Sequence, residues 1–231
     1  MTWRTNNWVV AERNVGRSLG LNKFIASYLL VNGYETKYDN CFSATLKPGD
    51  CVWDVGANVG YYTRSFADRV GSEGVVFGFE PSPVNFSRLT GVCAVLGNVR
   101  LLQLGLGRVN GKLSFEQGGD DLGATARVVE SNDEAVMVDI RSGTSLISDG
   151  DALPPNACKI DVEGFEYEVL QGLGNHLSDR SLRSIGIEVH FGILKARGMS
   201  QAPNQIESLL THHGFVVNWP DSSHILATRD S

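Results

Sequence analysis

The chain has 231 residues, 42% of them hydrophobic, and a formal net charge of −6. This length and hydrophobic content suffice for one large α/β domain with a full core. The acidic balance argues against a nucleic acid partner, because a phosphate backbone needs a broad basic field. The four cysteines lack metal-ligand spacing, and no apolar stretch approaches the length of a membrane span. We therefore expect a soluble, cytoplasmic protein that does not associate with membranes.

The first 47 residues are predicted to form a helical segment that precedes the main domain, residues 48–231. Apolar residues recur there at three- and four-residue intervals, which is typical of a helix with one apolar face. These residues are Val15, Leu19, Phe24, Ile25, Tyr28 and Leu29. The segment either packs as part of the core or covers a cofactor, and in the second case Glu35 would reach that cofactor.

The stretch from Cys51 to Tyr62 predicts a ligand-binding turn. Cys51–Trp53 is an apolar strand pattern, and a glycine-containing turn leads from it into a helix that starts near Gly60. Strand, glycine turn and helix form the opening unit of nucleotide-binding α/β folds. Asn58 stands where a dinucleotide fingerprint has its second glycine, so a pyrophosphate seat is poorly supported. Asp54 before the turn suits a ligand with an ammonium group, and S-adenosylmethionine is such a ligand.

Glu80 ends the next predicted strand, about 20 residues after Gly60, where a carboxylate can accept hydrogen bonds from a ribose diol. The alternative is that Asp54 and Glu80 only cap the helices that follow them. The predicted cofactor-binding residues are Glu35, Asp54, Val55, Gly56, Ala57, Asn58, Gly60, Glu80, Pro81 and Asp161.

Alternating strands and helices predict a parallel sheet that is covered on both faces. We expect a hairpin-like insertion between residues 105 and 150, with a loop at 117–126, either as a wall of the substrate site or as a plain exposed hairpin. The predicted strands are 51–56, 74–80, 98–104, 112–115, 135–138, 157–162, 184–190, 215–217 and 224–227. The predicted helices lie near 60–70, near 83–96, from 164 onward and at 203–213.

Four motifs resemble the FkbM-type family of S-adenosylmethionine-dependent methyltransferases. They are Asp54–Tyr62, Phe79–Pro83 with Asn85 and Leu89, Lys159–Glu166 with Val169, Leu170 and Gly172, and Ile187–His190. The resemblance implies a class I methyltransferase fold, a Rossmann-like three-layer sandwich with a mostly parallel seven-stranded sheet whose last strand is antiparallel. It also implies O-methylation of a hydroxyl on a small molecule, a sugar or a natural product. Because the family is broad, the acceptor itself does not carry over, and the oligomeric state stays open.

The predicted catalytic residues follow the strands of the second half. Asp161 and His190 fall at carboxyl ends of strands, where open α/β sheets bind their ligands. We expect His190 to act as the base that removes the acceptor proton, Glu188 to orient it, and Asp161 to face the methionine end of the cofactor. Glu163 either caps the helix that follows or binds the acceptor. The alternatives are that His190 is structural or that this acid-and-histidine rim binds a divalent cation.

Two other functions compete with methyl transfer. A nicotinamide-dependent oxidoreductase would use the same kind of fold, but the missing third glycine counts against it. A nonenzymatic domain that binds S-adenosylmethionine and serves as an interaction module is the other alternative. The combination of Asp54, Gly56 and Glu80 argues against it, since such a domain has no physical need for all three.

Overall fold

The computed structural model describes residues 34–116, 127–128 and 136–230. The apolar positions between Val15 and Leu29 and the predicted loop at 117–126 lie outside the described residues. Glu35 lies in helix α1 (Tyr34–Ser43), but its side chain is outside the described part. Its predicted contact with the cofactor therefore stays a prediction.

The main sheet has seven strands and the predicted topology. Its strands are β1 (Cys51–Val55), β2 (Val75–Phe79), β3 (Val99–Leu102), β8 (Ala157–Ile160), β9 (Ser184–Glu188), β10 (Val216–Asn218) and β11 (His224–Thr228). They lie in the order β10-β11-β9-β8-β1-β2-β3. The last strand, β11, is antiparallel to both of its neighbours, and the other pairings in the sheet are parallel. This arrangement confirms the class I fold.

Strand β1 lies inside the sheet, between β8 and β2, and four of its five side chains are apolar; the exception is Asp54. All five of its residues are buried, as is typical of a parallel strand covered by helices on both sides. Trp53 packs on Phe79 with ring centroids 5.0 Å apart, and its indole nitrogen donates a hydrogen bond to the carbonyl of Leu153. Since β2 lies on one side of β1 and β8 on the other, the turn after Val55 is at the switch point of the sheet, where such folds bind ligands.

Helices cover both faces of the sheet. They are α1, α2 (Tyr61–Val70), α3 (Pro83–Cys93), α4 (Gly143–Ser148), α5 (Glu166–Leu173), α6 (Phe191–Ala196) and α7 (Ala202–His212). Phe42, Phe66 and Leu89 pack with Val52 on one face, from α1, α2 and α3. The other face is larger and includes residues of α5 and α7, which pack with Trp53 and its neighbours. Alternate side chains of β1 thus contribute to two separate cores. No helix in the described part of the chain is long and apolar enough to cross a membrane.

A second sheet forms the insertion between β3 and β8. It contains β4 (Gly105–Leu106), β5 (Gly111–Glu116), β6 (Arg127–Val128) and β7 (Val136–Arg141), in the order β4-β7-β5-β6. The antiparallel pairing of β5 with β7 confirms the predicted hairpin. The short strands β4 and β6 and the six-residue helices α4 and α6 were not expected, because elements this short carry too little periodicity to be recognised.

Five predicted strands end one or two residues earlier than expected, and for two of them the difference concerns predicted catalytic residues. Strand β8 ends at Ile160, and β9 ends at Glu188, where its pairing with β11 also ends. Asp161 therefore lies just beyond β8, and His190 is the residue that precedes helix α6. Both still lie at the carboxyl edge of the sheet, because parallel strands end on the same side.

Candidate active site

A cavity of about 300 Å³ lies at the carboxyl edge of the main sheet, within the usual size range of ligand pockets, about 300–1,000 Å³. One wall consists of residues at the ends of β1, β2 and β8. The opposite wall consists of residues 105–113 together with Val138 and Ile140 of the insertion. Among the predicted site residues, the cavity is lined by Val55, Gly56, Asn58, Glu80, Pro81, Asp161 and Glu163.

The turn after β1 is held close to the neighbouring strands. The backbone N–H groups of Gly56 and Ala57 both donate to the carbonyl of Phe79, each at 3.0 Å. Gly56 has φ +79, and a Cβ there would lie 1.9 Å from the carbonyl oxygen of Asp161. Glycine is therefore required by the close approach of the backbone after β8, and not only by a ligand. Gly60, with φ +93, precedes the first turn of α2, and neither it nor Ala57 lines the cavity.

Glu80 is 5% exposed and lies on the cavity wall just after β2. Its Oε2 accepts a hydrogen bond from the N–H of Asn58 at 2.9 Å, and its Oε1 accepts one from the N–H of Ser82 at 2.8 Å. Burial raises the pKa of Glu80 to about 7, although these two N–H groups act in the opposite direction. These two hydrogen bonds hold the carboxylate in position, and its oxygens can accept further hydrogen bonds from a ligand in the cavity.

Asp54 is fully buried, and its charge is balanced within the protein. The hydroxyl of Thr63 donates to its Oδ2 at 2.6 Å, and Nζ of Lys159 donates to its Oδ1 at 3.1 Å. Asp54 does not line the cavity. We expected the ammonium group of a ligand beside Asp54, but the structure places the ammonium group of Lys159 there. Nζ of Lys159 is also 3.7 Å from Oδ2 of Asp161. The sequence indicated Lys159 only as the first residue of a family motif and predicted no role for it.

Four carboxylates surround the buried imidazole of His190. Its Nδ1 is 2.5 Å from Oε1 of Glu166, and its Nε2 is 3.3 Å from Glu163, 3.5 Å from Asp161 and 3.8 Å from Glu188. We call these five residues the acid–histidine cluster. Burial by itself would lower the pKa of His190, but the carboxylates, chiefly Glu163 and Glu166, outweigh it and raise that pKa to about 9.

The residue that contacts Nδ1 of the His190 imidazole is not the one we expected, Glu188. Glu166, the first residue of α5, makes that contact, whereas Glu188 lies on the Nε2 side and is also 3.9 Å from Nε2 of His224. Glu166 belongs to the same motif as Asp161 and Glu163, so the sequence contained it. Its role was missed because residues 24 positions apart meet only when β8 and β9 pair.

The turn between β8 and α5 gives the cluster its shape. Glu163 has φ +47 and Gly164 φ +94, which turn the chain sharply. The N–H of Gly164 donates to Oε1 of Glu166 at 3.0 Å. The cap that was one of the two roles considered for Glu163 is not formed, because α5 has no side-chain hydrogen bond at its N-cap residue, Phe165. Arg197 fastens the turn from outside: its guanidinium donates to the carbonyl of Gly164 and lies 3.7 Å from the ring centroid of Phe165.

Comparisons with known proteins match this chain to methyltransferases. The family model described as "Methyltransferase FkbM domain" matches residues 54–217. The hexuronic acid methyltransferase AglP of Haloferax volcanii is 36% identical over 174 residues, which cover 73% of this chain and 70% of that protein. Methyltransferase 1 of Beauveria bassiana is 27% identical over 159 residues, covering 58% of this chain and 63% of that protein.

Solved structures show the same fold. A candidate caffeoyl-CoA O-methyltransferase from Staphylococcus aureus aligns with a TM-score of 0.54 at 11% identity, over 97% of this chain and 93% of that one. A candidate rRNA methylase from Clostridium thermocellum aligns with a TM-score of 0.50 at 15% identity, over 86% of this chain and 96% of that one. At these identities the likeness concerns the fold alone. The match to the family model, which spans most of the chain, and the similarity to AglP show that this chain belongs to the FkbM family of S-adenosylmethionine-dependent methyltransferases.

Proposed function

We propose that the protein transfers the methyl group of S-adenosylmethionine to a hydroxyl group of an acidic sugar. The observation that carries the proposal is the arrangement of two sites along one sheet edge. Glu80, held by two backbone N–H groups, offers a seat for a ribose on the β2 side. The acid–histidine cluster lies on the β8 and β9 side, with Asp161 and Glu163 lining the same cavity.

The cofactor would extend between these two sites. We place the ribose hydroxyls at Glu80 and the methionine part over the turn of Val55, Gly56 and Asn58, toward Asp161. Asp54 would support cofactor binding indirectly, because it accepts a hydrogen bond from Nζ of Lys159. The same Nζ lies beside Asp161 and 3.4 Å from the carbonyl oxygen of Gly56. Methyl transfer would then occur beside Asp161.

The reaction is an in-line displacement. The oxygen of the acceptor hydroxyl forms a bond to the methyl carbon while the bond from that carbon to sulfur breaks. The electron pair of the broken bond returns to sulfur, and the cofactor leaves as a neutral thioether. The acceptor also loses its proton, and the carboxylates of Asp161, Glu163 and Glu188 are the proposed groups that accept it. His190, whose raised pKa favours the protonated imidazole, would hold these carboxylates in place.

The acceptor class rests on the insertion wall and on the similarity to AglP. Arg108 is exposed and lines the cavity, and Lys112 lines it as well. Lys112 is 3.2 Å from Asp139, with both side chains exposed to solvent, so that pair is weak. A guanidinium at the mouth of the cavity is suited to a sugar carboxylate, because its planar fork matches the two carboxylate oxygens. A hexuronic acid, the substrate type in the name of AglP, has such a group.

The test is an assay of methyl transfer with paired acceptors. The protein is incubated with S-adenosylmethionine and a uronic acid glycoside, or with the matching neutral hexoside, and the products are identified by mass spectrometry. We expect a methyl ether on the uronic acid. Methylation of the carboxylate itself would yield an ester, which mild base removes. An ester, or the absence of any product across a panel of sugars despite cofactor binding, would refute methylation of a sugar hydroxyl.

Substitutions of Arg108 and His190 test the roles proposed for these two residues. Arg108→Gln should raise KM for the uronic acid at least tenfold and leave KM for the cofactor unchanged, whereas Arg69→Gln, on the exposed face of α2, should change neither. His190→Ala should lower turnover by roughly 10²–10⁴ with cofactor affinity within a few-fold. Full activity of the His190 variant would remove His190 from the mechanism, and an unchanged KM in the Arg108 variant would remove the acceptor contact.

A further inference from the structure

The buried side of the acid–histidine cluster contains a polar atom with no hydrogen-bond partner. Nε2 of His190, in a side chain that is 0% exposed, lies between Asp161 and Glu163, and neither carboxylate is placed to form a hydrogen bond with it. A buried polar atom without a partner costs about 1–3 kcal/mol. Such an atom therefore needs an explanation in terms of what it binds.

The charge around this atom points to a cation. Asp161, Glu163, Glu166 and Glu188 all lie within 3.8 Å of one ring nitrogen or the other of His190. Buried carboxylates are stable when they are paired with cations or coordinate a metal. Nζ of Lys159 faces the far oxygen of Asp161, Oδ2, and so leaves Oδ1 directed at His190.

The spacing of the candidate ligand atoms fits a single ion. The atoms that Asp161, Glu163 and His190 offer all lie within 4.8 Å of one another. Nε2 of His190 is 3.5 Å from Oδ1 of Asp161 and 3.3 Å from Oε2 of Glu163. Ligand atoms that each lie about 2.1 Å from one ion are separated by roughly 3.0–3.4 Å when they occupy neighbouring positions. The observed separations are close to this range, although they are long for hydrogen bonds.

The other ring nitrogen has the partner that a metal ligand needs. Nδ1 of His190 is 2.5 Å from Oε1 of Glu166, and both side chains are fully buried. Histidines that bind metals almost always donate the other ring N–H to a carboxylate or a carbonyl, which fixes the tautomer with its free lone pair toward the ion. Glu166 would thus be a positioning residue that directs Nε2 toward Asp161 and Glu163.

We propose that Asp161, Glu163 and His190 bind one divalent cation at the edge of the cavity. One imidazole and two carboxylates favour a first-row ion such as Mn²⁺ or Zn²⁺ over Mg²⁺ or Ca²⁺, which prefer oxygen ligands alone. Asp161 and Glu163 line the cavity and His190 lies behind them, so the open side of the ion faces the acceptor.

The effect of the ion on the reaction rests on the proposed function. A cation that coordinates the acceptor hydroxyl lowers the pKa of that hydroxyl and holds its oxygen in position for attack on the methyl group. His190 then contributes as a ligand and not as a base. The binding of the ion is a property of these residues alone, and it can be measured without cofactor or acceptor.

The experiment is a metal titration of the full chain after treatment with a chelator. Mn²⁺, and separately Zn²⁺, is titrated by calorimetry, and the bound metal is counted by elemental analysis after gel filtration. We expect one ion per chain. Glu163→Gln and Asp161→Asn should each weaken binding at least tenfold, and Glu166→Gln should weaken it about 10–100-fold. The matched control is Glu73→Gln, which removes an exposed carboxylate outside the cluster and should bind as the wild type does.

Folding is checked separately on Glu163→Gln, because this variant keeps the fully buried imidazole of His190 in place. The side chain of Glu163 is 24% exposed, so Glu163→Gln should keep the wild-type circular dichroism spectrum. Added Mn²⁺ should raise the melting temperature of the wild type but not of this variant. Failure of the chelated wild type to bind either metal at millimolar concentration would overturn the proposal, because a protonated His190 would then balance the carboxylates. Equal affinity of wild type and Glu163→Gln would also overturn it. A methyl ether formed without bound metal would refute the ion's role in the reaction but leave the proposed function intact.

Discussion

At the scale of single residues, Glu80 combines burial with a proposed role that requires charge. Its carboxyl group is buried beside the turn that follows β1, where the backbone N–H groups of Asn58 and Ser82 donate to it. Burial therefore keeps its pKa at about 7 instead of 4.5. A ribose diol would donate hydrogen bonds to the carboxylate, so cofactor binding favours the charged form.

The first prediction concerns the pH dependence of cofactor affinity. Affinity for S-adenosylmethionine should increase as the pH rises through about 7, because the free protein must lose a proton from Glu80 before it binds well. Glu80→Gln should bind at least tenfold more weakly at high pH, since it loses charge-assisted hydrogen bonds, and it should not show this increase. Calorimetry at several pH values measures both effects. An affinity that is independent of pH in both proteins would contradict the role of Glu80.

The stability of the ligand-free protein gives a control with the opposite sign. The folded-state pKa of Glu80 lies above the unfolded value of 4.5. Its contribution to stability is therefore fully present below pH 4.5 and is lost as the pH rises through about 7. The melting temperature of the wild type should fall relative to that of Glu80→Gln over this range.

The second prediction separates two reasons for glycine at position 56. Gly56 has φ +79, and a Cβ there would collide with the carbonyl oxygen of Asp161 at 1.9 Å. Gly150 has a similar φ of +78 but open space around it. Gly150→Ala should therefore cost only the conformational term, roughly 1–2 kcal/mol, and Gly56→Ala should cost clearly more and also weaken cofactor binding. Urea denaturation of the two variants measures the difference. Equal losses would show that the backbone after β8 moves aside freely.

At the scale of elements, the carboxyl ends of β1 and β8 are joined by charge as well as by the backbone ladder. Lys159 of β8 donates to Asp54 of β1, and both side chains are almost fully buried. The same ammonium group is 4.7 Å from the ring centroid of Tyr62 in α2. Three elements therefore depend on one cation for their alignment beside the cavity.

The third prediction tests this connection. Lys159→Met should destabilise the protein by about 3–5 kcal/mol, because it leaves the carboxylate of Asp54 buried without its cation. The double variant Asp54→Asn/Lys159→Met should recover part of the loss, since neither charge remains. Equilibrium urea denaturation of the wild type, both single variants and the double variant completes the cycle. Losses that simply add would show that the two side chains are not coupled.

At the scale of the whole molecule, the cavity lies between the main sheet and the insertion, to which we assign different roles. The main sheet supplies the proposed cofactor seat and the acid–histidine cluster, and the insertion supplies the opposite wall, including Arg108. The insertion begins immediately after β3 and returns to the main sheet before β8. The acceptor wall can therefore vary in sequence without disturbing the core on which the cofactor seat depends.

The fourth prediction distinguishes S-adenosylmethionine from NAD as the cofactor of the main sheet. S-adenosylmethionine at 100 times its dissociation constant should stabilise the folded protein by about 2.7 kcal/mol, because it binds the native state alone. NAD at the same concentration should leave the melting temperature unchanged, since the turn lacks the glycine pattern of a pyrophosphate seat. Thermal denaturation with each ligand measures the shifts. Stabilisation by NAD would favour the oxidoreductase alternative.

The sequence by itself determined the sheet, the glycine turn and the positions of Glu80, Asp161 and Glu163, because apolar periodicity and turn chemistry act over a few neighbouring residues. Only the tertiary structure decided the partners of those groups. It paired Lys159 with Asp54, placed Glu166 instead of Glu188 at Nδ1 of His190, and set the backbone of Asp161 against Gly56. These contacts join residues 24 to 105 positions apart. Such contacts depend on which strands become neighbours and where each strand ends, and a local pattern in the chain does not contain that information.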